Sequence, residues 1–171
     1  MLLFVLGNAT PQYSNPIVTQ AMKIYTSSKK LANFKSKYMV FINFNEPDSS
    51  KRLYIIDIQN QLIVFRTYVA HGKNSGGLYA TSFSNSVNSH QSSLGTYMTV
   101  GTYYGHAGLS MKLRGLERTN SNAERRMVVL HGANYASTGG HSWGCFAIPR
   151  QSIYKVIKII GSNALIYAYH N

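Results

Sequence analysis

The hydrophobic period of the chain changes at Tyr38, and that change constrains the fold more than any other feature. Residues 38–44 form an apolar run of β-favouring side chains interrupted only by Asn43, ended by the turn cluster Asn45-Glu46-Pro47-Asp48-Ser49-Ser50. Residues 53–58 and 62–69 follow as two more runs, separated by Gln59-Asn60-Gln61. That reads as a hairpin, with Asn60 the residue best suited to positive φ. Residues 97–104, 126–130 and 164–169 are further strand candidates. A helical period appears only near the two ends. Asn15-Pro16 combines an N-cap with a first-turn proline, and Ile17, Ala21, Ile24 and Tyr25 then share one face as far as Ser28. Pro149 opens a second helix whose Ile153, Val156, Ile157 and Ile160 make one apolar face, and Gly161 stops it. The chain therefore reads as mainly β with a helix near each end. Its 171 residues suit one domain, and no repeat or linker divides residues 10–171.

Composition narrows the partners. Seventeen Lys and Arg face five acids, a formal charge of +12, which draws such a chain to polyanions. The basic residues are scattered, with only pairs such as Lys29-Lys30, Lys51-Arg52 and Arg125-Arg126, and no aromatic box accompanies them. Nucleic acid is therefore not the expected partner. One cysteine excludes an intramolecular disulfide framework and a Cys-rich zinc site. Residues 1–9 are apolar but too short to span a membrane, and they read as the tail of an export signal or as an N-terminal strand. No other segment approaches spanning length. Residues 71–95, rich in Ser, Asn and Gly, predict a long ordered binding loop anchored by Tyr79, Phe83 and Leu94. Residues 105–125 read as a second irregular, basic stretch carrying Arg114 and Arg118.

The chemistry concentrates between His131 and Cys145. A buried-strand pattern (Met127, Val128, Val129, Leu130) delivers His131, and a glycine-rich loop then ends on the cysteine. A thiol becomes a nucleophile as a thiolate, and either His131 or His141 is a candidate to take its proton. Backbone amides of Trp143, Gly144 and Cys145 are candidate oxyanion donors, because a glycine before the nucleophile permits the tight turn that converges N–H groups. Ser142 has a hydroxyl that can orient a histidine or bond the loop. A metal reading would gather His71, His131 and His141, but it lacks a tight ligand spacing and leaves the cysteine unexplained. No metal or cofactor is expected.

His131-Gly132 followed by Ser142-Trp143-Gly144-Cys145 resembles the signature of the YkuD-like L,D-transpeptidases: His-Gly, a gap, then Ser-His-Gly-Cys. The stretches beginning at Arg52, Tyr68, Ala80, Gln91 and Gly144 resemble the murein L,D-transpeptidase branch, and the likeness runs over about residues 16–171. The resemblance implies a β-sandwich-like catalytic domain acting on peptidoglycan stem peptides. It assigns Cys145 as nucleophile, His131 as general base and acid, and Ser142 as their associate, with oxyanion donors at Gly144 and Cys145. His71, Gly132 and Trp143 are candidate substrate-binding residues, and Trp143 stands where the common signature has histidine. A transpeptidase of this kind works outside the cytoplasm, in the periplasm or at the cell wall, where the anionic wall suits the basic surface. An L,D-carboxypeptidase using water as acceptor, and a non-catalytic wall- or polyanion-binding module, are the alternatives.

Overall fold

The computed structural model describes residues 15–171, so the reading of residues 1–9 lies outside the described residues. Helix α1 (Pro16–Ser28) begins as its sequence requires: the Asn15 side chain accepts a hydrogen bond from the Ile17 N–H at 2.9 Å, and Pro16 needs no donor there. Eight strands follow: β1 (Tyr38–Asn43), β2 (Leu53–Asp57), β3 (Leu62–Thr67), β4 (Gly95–Gly105), β5 (Gly108–Gly115), β6 (Val129–Ala133), β7 (Phe146–Pro149) and β8 (Leu165–Tyr169). Helix α2 (Arg150–Ile160) joins the last two strands, and Gly161 caps its end. The fold is mainly β with a helix near each end.

All eight strands form one sheet in the order β3-β2-β1-β8-β4-β5-β6-β7. The β1–β8 and β6–β7 pairs are parallel and the rest antiparallel. β1 and β7 lie five places apart, which in a flat sheet is about 24 Å at ~4.8 Å per strand. Yet the rings of Phe44, just past β1, and Phe146 in β7 have centroids 6.4 Å apart, and Tyr97 of β4 meets Phe146 edge-on at 5.2 Å. The sheet curls until its two halves face each other across one core. The result is sandwich-like, made from a single continuous sheet.

The continuous apolar run of β1 from Met39 to Ile42 follows from burial on both faces. Val40 and Ile42 enter the main core with Leu53, Ile55, Leu130 and Phe146. Met39 and Phe41 point the other way, under Val18, Ala21 and Ile24 of α1. On the far half, Ile153, Val156 and Ile160 of α2 fill the same main core.

Four readings of the sequence need correction. The strand expected over residues 126–130 starts late: Met127 lies in a turn at φ 53°, exposed rather than buried, and β6 begins at Val129. Residues 108–115 are not irregular: they form β5, with Met111 and Leu113 buried between polar neighbours. The β2–β3 turn places its positive φ at Gln61 (53°), not Asn60: Asp57 pairs with Leu62, and the connection between them takes the left-handed conformation at its last residue. In the long loop, Phe83 and Leu94 pack on the core as expected, but Tyr79 is half exposed. Buried hydroxyls take over the anchoring instead. Ser75 Oγ accepts from the Ser92 N–H at 2.8 Å, and Ser92 Oγ accepts from the Gly72 N–H at 3.0 Å.

Candidate active site

β6 and β7 run parallel with Leu130 opposite Phe146 and His131 opposite Ala147. Cys145 stands immediately before β7, so it falls opposite Val129. Paired residues project to one side of a sheet and alternate along each strand. Leu130, Phe146 and Ile148 therefore enter the core, while Cys145, Ala147 and His131 share the outer face. The thiol and the imidazole become diagonal neighbours across two strands, on a floor of small side chains (Ala70, Ala133, Ala136, Ala147).

The sulfur sits against the chain that leads into β6. Cys145 Sγ donates toward the Met127 carbonyl at 3.5 Å. Burial pushes the thiol pKa up, while the Val129 N–H and the charge of Arg126 pull it back. For His131, burial holds the imidazole below its ordinary range, and the Arg150 charge acts in the same direction. Its Nδ1 lies 3.2 Å from the Gly132 carbonyl, which only accepts, so that nitrogen carries the proton. The Nε2 lone pair is left for chemistry.

Ser142 is buried and organises the turn to Cys145. Its Oγ donates to the Cys145 carbonyl at 2.7 Å and accepts from the Gly144 N–H at 3.1 Å. The Gly144 N–H, one of the two expected oxyanion donors, is thus already engaged, whereas neither bond uses the Cys145 N–H. Gly144 itself has φ +111°, and a Cβ there would lie 2.7 Å from the Gln91 carbonyl and 2.9 Å from the Arg126 guanidinium. Only glycine fits that position.

The remaining candidates separate. Trp143 is 70% exposed, two residues before Cys145; its ring lies 4.9 Å from that of His90, and Lys73 Nζ lies 4.9 Å from its centroid. It is free to meet a ligand. Gly132 is not: a Cβ on it would point into α2, 3.1 Å from Arg150 Cα and 3.2 Å from Ile153 Cγ2, so this glycine serves helix packing. His71, also expected as a substrate contact, is fully buried. Arg52 Nη2 donates to its Nδ1 at 2.8 Å, and Nε2 therefore carries the proton toward the Gly76 carbonyl at 3.2 Å. Burial and the neighbouring Arg52 charge hold this histidine neutral. His141 packs its ring 4.6 Å from His71, bonds the Gly77 carbonyl at 3.2 Å, and lies 3.8 Å from a buried carboxylate oxygen of Asp48. These contacts fasten the loop to the β1–β2 connection.

Asp48, His71 and His141 bring one potential ligand atom each within 4.8 Å of one another. The donor chemistry does not fit a cation. Both His71 nitrogens are committed, one of them to a buried guanidinium that would face the metal with its own positive charge.

Sequence reasoning missed two features of the site. One is a groove of about 420 Å³ on the outer face of β4, β5 and β6, lined by Val100, Tyr103, Lys112, Glu124, Met127 and Val129 among others. Met127 and Val129, whose backbone groups contact the sulfur, are among its lining residues, while Cys145 and His131 are not. The other is Arg126, which reads in the sequence as half of a surface charge pair.

Residues 9–169 match the L,D-transpeptidase catalytic domain family. No curated protein matches. Among solved structures, the fold is similar to Bd1075 of Bdellovibrio bacteriovorus, with a TM-score of 0.50 and 16% identity over 80% of this chain and 48% of that one. It is similar to an L,D-transpeptidase from Mycobacterium smegmatis, with a TM-score of 0.52 and 8% identity over 79% and 59% of the two chains. It is also similar to the L,D-transpeptidase LdtMt1 in complex with imipenem, with a TM-score of 0.50 and 8% identity over 78% and 59%. The chain thus spans about half to three-fifths of the length of these structures.

Proposed function

Because the chain belongs to the L,D-transpeptidase catalytic domain family, we propose that it is a peptidoglycan L,D-transpeptidase with Cys145 as nucleophile and His131 as general base and acid. The observation that supports this reading is the β6–β7 register, which sets thiol and imidazole on one face of the sheet. Burial raises the thiol and depresses the imidazole, so the resting pair is neutral and the proton moves only when substrate is present.

His131 Nε2 takes the thiol proton as sulfur bonds to the carbonyl carbon of the L-centre in the stem peptide. The carbonyl electrons move onto oxygen, where the Cys145 N–H is the donor that the turn leaves unspent. Collapse breaks the C–N bond, and His131 returns its proton to the departing D-residue's amine, leaving a thioester. The side-chain amine of a second stem then attacks, His131 accepts its proton, and the thiolate departs and is reprotonated. Water in place of that amine gives the L,D-carboxypeptidase reaction through the same first half. Ser142 serves both halves by fixing the turn rather than by carrying a proton, and exposed Trp143 forms part of the substrate groove.

The substrate class places the enzyme outside the cytoplasm, in the periplasm or at the wall. A charge of +12 supports attraction to an anionic wall. Among the described residues no helix is long and apolar enough to cross a membrane.

Intact-mass measurement after incubation with a carbapenem such as imipenem tests the reading, with wild type and Cys145→Ala compared. One adduct on wild type and none on the variant is the expected result. Murein binding without an adduct in either protein would point to a non-catalytic wall-binding module. Mass spectrometry of digested murein separates the two enzymatic outcomes, since a tetrapeptide shortened to a tripeptide without dimers identifies water as acceptor.

A further inference from the structure

Arg126 sits at the end of the irregular segment before β6 and reaches across to the loop that borders the nucleophile. Its Nη1 donates to the Ser84 carbonyl at 2.6 Å and to Ser93 Oγ at 3.1 Å. Its Nη2 donates to Ser89 Oγ at 3.3 Å and to the Gln91 carbonyl. The anchor runs on into the core. The fully buried Tyr97 hydroxyl donates to the Ser93 carbonyl at 2.9 Å, so Ser93 Oγ, 2.6 Å away, must donate to the phenol while accepting from Arg126. The guanidinium is therefore fixed from both sides. It also lies 2.9 Å from the point where a Cβ on Gly144 would stand, one residue before the nucleophile.

We propose that Arg126 is a positioning residue that holds a fixed positive charge beside Cys145 and stabilises its thiolate. The proposal rests on the reading of Cys145 as nucleophile. Its hydrogen bonds limit how Arg126 acts. All four Nη protons are spent on residues 84–93, so the guanidinium reaches the sulfur through its field rather than through a hydrogen bond. The attraction is reciprocal, since Arg126 favours the charged thiol and the thiolate favours the charged guanidinium. Two other titratable groups interact with the thiol, the phenols of Tyr97 and Tyr135. Burial pushes both up, so neither supplies charge at neutral pH. His131, its partner across the strands, is held neutral as well. Arg126 is thus the cation that acts on the sulfur among the described residues. The glycine at position 144 acquires a second reason: a side chain there would push this charge away from the thiol.

The test is the pH dependence of Cys145 alkylation by iodoacetamide, read by intact mass, in wild type, Arg126→Gln and Arg126→Lys. This readout needs no murein and no transpeptidation. A cation close to a thiolate shifts its ionisation by about one pH unit or more. Arg126→Gln is therefore expected to raise the midpoint by about one unit and to slow alkylation at pH 7 about tenfold. Arg126→Lys, which keeps the charge and loses the fork, should stay near wild type. If Arg126→Gln does not fold, Ser93→Ala replaces it: the charge remains but loses its tether to Tyr97, and the midpoint rises by a smaller amount. A midpoint unmoved in whichever neutralised or untethered variant folds, or moved equally by Gln and Lys, overturns the proposal. Wild-type protein that alkylates normally but takes no carbapenem adduct overturns the transpeptidase reading instead.

Discussion

Replacing Ser142 with alanine separates the geometry of the turn from the chemistry of the pair. The hydroxyl is buried and makes two bonds, 2.7 Å to the Cys145 carbonyl and 3.1 Å from the Gly144 N–H. Ser142→Ala leaves both backbone groups unpaired. Each costs about 1–3 kcal/mol where water cannot reach it, and the exposed neighbour Trp143 admits some water, so a total of about 2–3 kcal/mol is expected. In a domain of this size that lowers the unfolding midpoint by about 4–12 °C. The kinetic effect follows from position. Sγ is held by the same turn, and a displacement of about 1 Å costs on the order of 100-fold in an attack that needs alignment, so carbapenem acylation should slow about 10–100-fold. The lower limb of its pH profile should keep its midpoint, because His131 is untouched. Thermal unfolding by circular dichroism and stopped-flow acylation from pH 5 to pH 9 measure both quantities. Wild-type stability together with wild-type acylation would refute the turn-holding role. A shifted lower limb would put Ser142 in the proton path.

Other consequences are more local. His71 and His131 are both held below the ordinary value of 6.5, so the folded protein binds fewer protons than the unfolded chain as pH falls past that value. Their contribution to stability is complete above about pH 6.5 and is lost as pH drops through their folded values; unfolding midpoints measured from pH 8 to pH 5 should fall, and a flat profile would contradict the burial argument. Gly132→Ala forces a methyl to within 3.1 Å of Arg150 Cα, so α2 must shift, at a cost of about 1–3 kcal/mol in denaturant titration. Trp143→Ala removes an exposed ring and should change stability by no more than about 0.5 kcal/mol. The same variant should raise the KM for murein fragments, and an unchanged KM would remove Trp143 from the groove.

The parts of the fold that announce themselves in the sequence are those whose burial has a simple period. The cap and first-turn proline of α1, the face of α2 and the two-sided burial of β1 all belong here. β5 does carry a strand's alternation, Met111 and Leu113 against Lys112 and Arg114, but over only four residues inside a glycine-bounded basic stretch, too short a run to stand out. β7 was hidden by its four-residue length, although it is what places Cys145 beside His131. The loop from His131 to Cys145 is legible as a motif, but the commitments of its polar atoms are not. That Ser142 takes the Gly144 N–H, that Arg52 takes His71, and that Arg126 leaves the surface for the site depend on segments distant in the chain. Local spacing carries no trace of them.

The central position of β8 also governs the order in which the sheet can be completed. This strand, the last of the described fold, pairs with β1 through contacts such as Met39 with Leu165 and with β4 on its other side. Until it is made, the β3-β2-β1 and β4-β5-β6-β7 strands are joined by no strand pairing, only by the isolated bridge of Ala70 to Ala147, and each part shows an open edge. Closure over so long a stretch of chain is slow, because the entropy of joining distant segments is spent before the contacts repay it. The face that brings Cys145 and His131 together, on β6 and at the start of β7, must therefore wait for its keystone, with the two raw edges open to wrong partners in the meantime.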